Sequence, residues 1–254
     1  MIHPSAIVAP GAKLGANVSV GPFSIIHDNV EIGAGSVIDA YCEIGYPTPL
    51  ADGLPLRIGA GARIRSHSVF YQGSSFGERL VTGHRVTVRE KTSAGVAFQI
   101  GTMNEIQGDC TIGDHVRCQS NVFIGKMTTI GDFVWLFPYV VLTNDPHPPS
   151  NLLLGCQIGD YAAIAAMSVV LPGVKVGRHA LVAAASKVHR DVAPATVVGG
   201  NPARYLCDTS TIRLRDGSER PAYPWTTHFR RGYPAEVTAG WDAPAELDGQ
   251  EPPP

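Results

Sequence analysis

Within residues 81–90, VTGHRVTVRE, a histidine, two arginines and a glutamate interrupt an otherwise alternating stretch. An imidazole with the ordinary pKa of ~6.5 is largely neutral near pH 7 and can accept a proton from an attacking group, help typically worth ~10²–10⁴-fold. His84 is therefore the first candidate for a general base, and Glu90 for the carboxylate that orients it or touches substrate. His115 and His147 stand in reserve, the latter in a proline-rich stretch, NDPHPP. The competing reading of His84 is a solvated polar residue at a bend. Which holds depends on where each side chain points, and so on the elements that carry it.

Those elements are set by a repeat of six. An aliphatic residue recurs at Ile2, Val8, Leu14, Val20, Ile26, Ile32, Ile38 and Ile44, then in fifteen units from Ile58 to Leu142 and six from Ile158 to Val188, with polar or small substitutes at Thr82, Ala94 and Cys118. Two insertions, about residues 46–57 and 143–156, break the series without shifting its register. A unit this short cannot bury its inner face alone, so the hexads must stack. Three per turn give an 18-residue coil, and roughly ten coils at the ~4.8 Å spacing of paired strands form an all-β parallel prism.

In this register the anchor and the residue two before it point inward, while residues three and five after it point outward. Cys42, Cys110, Cys118 and Cys156 then fall inside as reduced, inert thiols, and Asn104 falls inside as a cap or ladder. Stacking at 18 residues aligns Gln72, Glu90, Gly108, Lys126 and Asn144 in one corner column, with Tyr71, Arg89, Gln107, Gly125 and Thr143 beside it. Both insertions leave from that corner, which puts Arg89 and Gln107 within reach of a polar substrate. Phe123, Met127, Phe133, Trp135, Tyr139 and Val141 point outward, and a dense outward aromatic cluster reads as a subunit interface.

Composition narrows the partners. Twenty-eight glycines and 20 prolines with only 17% charged residues suit turns rather than helices. A net charge of -2 without a basic stripe argues against nucleic acid. No signal-peptide pattern and no run of ~18 apolar residues is present, so a cytoplasmic protein without a membrane span is expected.

The hexads, with the ending VVGGNPARYL, resemble the left-handed parallel β-helix of the hexapeptide-repeat acyltransferases over residues 1–204, leaving 205–254 as a C-terminal extension. TGHRVTVRE and LTNDPHPPS resemble the branch that N-acylates nucleotide-linked amino sugars. The resemblance implies a homotrimer with sites in the clefts between prisms, acetyl-CoA or another acyl-CoA as cosubstrate, and no metal. It implies that Asn144 and Asp145 line the sugar site, with His147 nearby on the second loop. It lays coenzyme A over the last coils, against Ala166 and Ala184, with Lys187, Arg190 and Arg204 facing its phosphates. The extension is expected to wrap the base of the trimer, and AELDGQEPPP reads as a flexible end.

Two rival functions share the prism. A γ-class carbonic anhydrase needs three histidines converging on zinc, and the 31- and 32-residue spacings of His84, His115 and His147 disfavour that. A non-catalytic assembly subunit would suit the outward aromatics but not a polar column overhung by two loops.

Overall fold

Each hexad forms a short strand ending on its anchor, followed by a bend into the next face. In the computed structural model, which describes residues 1–242, the strands build three parallel sheets of ten, nine and eleven strands, and successive strands enter them in that order. Partners lie one 18-residue coil apart, as in Ile7 with Ile25, Thr87 with Glu105 and Arg117 with Trp135. Glu43 pairs instead with Val69, and Thr129 with Gln157; these longer separations absorb the two insertions while the ladder continues.

The anchors fill the interior. Ile26, Ile44, Phe70, Val88, Ile106 and Leu136 are sealed from solvent, each worth ~1.5–3 kcal/mol of burial. Thr82, Ala94 and Cys118 are buried too, the threonine hydroxyl accepting the Arg65 N–H at 2.9 Å. At the inner second position, small polar groups satisfy the backbone of the next coil. Ser24 accepts the Cys42 N–H at 2.9 Å, and Asn104 Oδ1 accepts the Val122 N–H at 2.8 Å, the cap anticipated for it.

The prism has three edges. His84 lies where the eleven-stranded sheet bends into the ten-stranded one, between strands Val81–Thr82 and Thr87–Val88. Glu90 lies on the next edge, before strand Ser93–Ala94 of the nine-stranded sheet, and both insertions leave from this loop edge. On the third edge His115, Phe133, Tyr161 and His179 stack ring on ring, with centroids 5.1, 4.9 and 4.8 Å apart.

This geometry corrects the expected aromatic patch. Phe133 belongs to the stacked edge and Trp135 to the eleven-stranded face, where the Arg117 guanidinium lies 4.9 Å from its ring. Phe123 and Val141 lie on the ten-stranded face, Tyr139 on the His84 edge and Met127 on the loop edge. Successive hexads occupy successive faces, so outward residues adjacent in sequence scatter around the prism.

The chain divides into two units after Cys207. In the second, Trp225 contacts the rings of Phe229, Tyr233 and Trp241 at centroid distances of 6.4, 5.9 and 5.5 Å, beside a four-residue helix, Ala235–Thr238. The stretch read as a flexible end, 245–254, lies outside the described residues.

Candidate active site

On the His84 edge the carbonyl of each residue in the column accepts an N–H from the next coil. These bonds run through Ser66, His84, Thr102, Ser120, Pro138 and Ala166. Ala184 completes the column beside Ala185, whose N–H bonds the Ala166 carbonyl at 2.9 Å. The exposed His84 ring meets Ser66 Oγ through Nδ1 at 2.9 Å. The tautomer that donates Nδ1–H to the serine leaves the lone pair of a base on Nε2. At the ~4.8 Å coil spacing, Ala166 lies about 19 Å farther along the same edge. The expected base and the expected coenzyme A contacts therefore share one edge.

Glu90 does not join them. It sits on the loop edge, one face away, and cannot orient His84 within one protomer. Nor does it face solvent. Its side chain is 1% exposed, Arg89 grips both carboxylate oxygens at 3.3 Å, and Lys126 Nζ stands 3.8 Å away. The physical reason is the two long cations that close over the carboxylate, while the next rung, Gly108, packs its backbone against the Glu90 carbonyl.

Around this buried charge the loop edge collects a polar network. Lys126 pairs with Asp109 at 2.9 Å, and Lys91 pairs with Asp52 of the first insertion, tying that loop to the edge. Arg89 also lies 5.7 Å from the Tyr71 ring, which packs against Tyr46 at 4.9 Å. Gln107 turns aside to bond Glu105. In the second insertion Asp145 accepts from Ser150 Oγ at 2.6 Å and from the His147 N–H at 2.9 Å, which together hold its carboxyl below the usual range. Asn144 accepts the Leu154 N–H through its carbonyl at 2.7 Å, and the His147 side chain is exposed.

Arg190 and Arg204 meet at the end of the prism. They line a cavity of about 300 Å³ with Val188, His189 and Tyr205, and Arg204 Nη1 lies 3.3 Å from His189 Nε2. Lys187 projects from the adjacent ten-stranded face, its carbonyl bonded to Ala203. His84, His115 and His147 lie on or beside three different edges, so one protomer does not converge them. Sequence reasoning placed Lys126 in the right column without giving it a role, and passed over Asp109, Lys91 and Asp52. Stacking at 18 residues sets Lys126 over Gly108, with Asp109 only one residue further along the chain, so their pairing was within reach of the count; Asp52, inside an insertion, has no repeat position to betray it.

Three parallel sheets joined at three edges and a hexad repeat define a parallel β-helix, with two loops leaving from one charged edge. The family model for the bacterial transferase hexapeptide (six repeats) matches residues 11–46. The acyl-[acyl-carrier-protein]–UDP-N-acetylglucosamine O-acyltransferase of Stutzerimonas stutzeri is 32% identical over 215 residues, covering 80% of this chain and 72% of that protein. Its counterpart in Burkholderia lata is also 32% identical, over 202 residues, covering 80% and 71%. The crystal structure of UDP-N-acetylglucosamine O-acyltransferase from Moraxella catarrhalis superposes with a TM-score of 0.56 at 20% identity, over 81% of this chain and 73% of that one. The Campylobacter jejuni UDP-N-acetylglucosamine acyltransferase gives the same TM-score at 19% identity, over 95% and 81%. The chain belongs to the hexapeptide-repeat acyltransferases that these relatives represent, and its fold is their left-handed parallel β-helix.

Proposed function

We propose that this protein transfers an acyl group from a phosphopantetheine thioester to a hydroxyl of a nucleotide-linked sugar. The observation that carries this reading is the kinship over 80% of the chain with enzymes named for O-acylation of UDP-N-acetylglucosamine from an acyl carrier protein. Sequence reasoning alone pointed to an amine acceptor and acetyl-CoA. The relatives favour an ester product and a carrier-protein donor, and both donors present the same phosphopantetheine arm.

The protein works as a homotrimer in the cytoplasm on this reading. The His84 edge of one copy adjoins the loop edge of the next, since no single protomer joins the two. The donor arm runs along the His84 edge past Ala166 and Ala184, with Arg190, Arg204 and Lys187 near its phosphates, while the sugar lies beneath the loops near Asn144 and Asp145. The acceptor oxygen attacks the thioester carbonyl carbon, a C–O bond forms and the C–S bond breaks. His84 takes the hydroxyl proton and returns it to the departing thiolate.

The test is a donor-by-acceptor matrix. Acyl carrier protein and coenzyme A, each loaded with short and long acyl chains, are offered to nucleotide-linked sugars with and without a free amine, and products are read by mass spectrometry. An adduct cleaved by mild alkali is the expected ester. A stable adduct formed only with amino sugars would restore the amide reading, and no adduct from any pair would overturn the function.

A further inference from the structure

The loop-edge column of Gln72, Glu90, Gly108, Lys126 and Asn144 has one rung without a side chain. Gly108 is left-handed, with φ +94°, and a Cβ there would fall 2.5 Å from the Glu90 carbonyl oxygen. No side chain can be added without displacing the rung beneath. Lys126, one rung above the glycine, reaches back along the edge and sets Nζ 2.9 Å from Asp109 Oδ2 and 3.8 Å from Glu90 Oε1. Glu90 cannot follow a moving lysine, because it is sealed from solvent and clamped by Arg89.

A lysine is ordinarily a mobile point charge with three donors. Here two carboxylates hold it, while the side chain stays 27% exposed on the edge from which the second loop leaves. An ion pair that remains partly open to solvent, as Lys126–Asp109 does, adds little stability. What it does achieve is a cation held in place before substrate arrives, the condition under which a donor best stabilises charge that develops during reaction.

We propose, resting on the acyltransferase reading above, that Lys126 is the donor for the thioester carbonyl oxygen. As the acceptor oxygen bonds the carbonyl carbon, the C=O π pair moves onto this oxygen opposite the ammonium. It re-forms the carbonyl as the C–S bond breaks, and the acceptor's proton passes through His84 of the partner subunit to sulfur. Lys126 keeps its own protons throughout. A role in holding the sugar's diphosphate fits less well, because Glu90 and Asp109 beside the ammonium repel a standing dianion, whereas a carbonyl is uncharged until it reacts. Asp109 and Glu90 are positioning residues.

Steady-state kinetics on K126M and D109N test this, with the donor and acceptor that the wild type turns over and circular dichroism to check folding. For K126M, kcat falls by about 10²-fold or more while KM for the nucleotide sugar moves less than about threefold. For D109N, which keeps the shape but removes one anchor, kcat falls by about tenfold at unchanged KM. A folded K126M with wild-type kcat, or with the loss confined to a raised KM, overturns the proposal and leaves the acyltransferase reading standing. A wild type without turnover overturns both. Should K126M fail to fold, D109N decides: full kcat overturns the proposal, and the tenfold loss at constant KM supports it.

Discussion

The four interior cysteines show how far a position in the hexad determines the chemistry of a residue. Burial pushes Cys42 and Cys110 up to about 11 and Cys156 up to about 12, and raises Cys118 as well. The thiolate is the nucleophile, so at pH 8 none of the four is reactive while the prism is folded. Cys207 is partly exposed. A thiol reagent should label one cysteine in the native protein and five in denaturant, with the native adduct mapping to Cys207 by peptide mass; rapid labelling of an interior thiol would mean that the coils open locally. These interior positions were readable because the inner ladder is periodic. The depth of Glu90 was not, since it depends on lysine and arginine conformations that no repeat encodes.

At the scale of elements, the stacked-ring edge and the second loop behave differently. His179 is half-buried beside Tyr161 and near Arg178, and desolvation first, then that cation, pull its imidazole down to about 4. His115, at the other end of the stack, is lowered too, chiefly by burial. An unfolded histidine titrates near ~6.5. Between that pH and about 4 the unfolded chain binds a proton that folded His179 refuses, so stability declines as pH falls through this window and the loss levels off below it. The thermal midpoint should drop between pH 7 and 4, and less steeply in His179→Phe; equal slopes would show that the imidazole is not the source. The second loop, by contrast, is an addition to a ladder already complete, as the pairing of Thr129 with Gln157 across it shows. Deleting residues 146–155 rejoins the hexads in register, so the β signal should survive while turnover falls by about 10²-fold as the cover over Asn144 is lost. A collapsed melting transition would make the loop structural. Periodicity exposed the position of both loops, because an insertion is a break in a count. Their internal contacts, such as Asp145 with Ser150 or Asp52 with Lys91, lie outside any period and needed coordinates.

At the scale of the whole molecule, the residues to which the two halves of the proposed chemistry are assigned occupy different edges. His84 shares its edge with Ala166 and Ala184, and Lys126 shares the other with Glu90, Asp109 and both loops. The ten-stranded sheet separates them, and a rigid solenoid offers no hinge by which one protomer could close that gap. A second copy can, if rotational symmetry sets the His84 edge of each against the loop edge of its neighbour. This arrangement makes a quantitative claim about mixed assemblies. His84→Asn alone should lower kcat/KM by about 10²-fold through loss of the base, and Lys126→Met alone should do so through loss of the carbonyl donor. Equal amounts of the two inactive chains, denatured and refolded together, form trimers at random. A site is intact only where a K126M chain supplies His84 and an H84N chain supplies Lys126, so about a quarter of sites regain full function. Activity near that fraction of wild type, absent when the two mutants are mixed without refolding, is the expected result. If both groups served one site within a single protomer, no mixture could restore any site, and the refolded sample would stay as inactive as its parts.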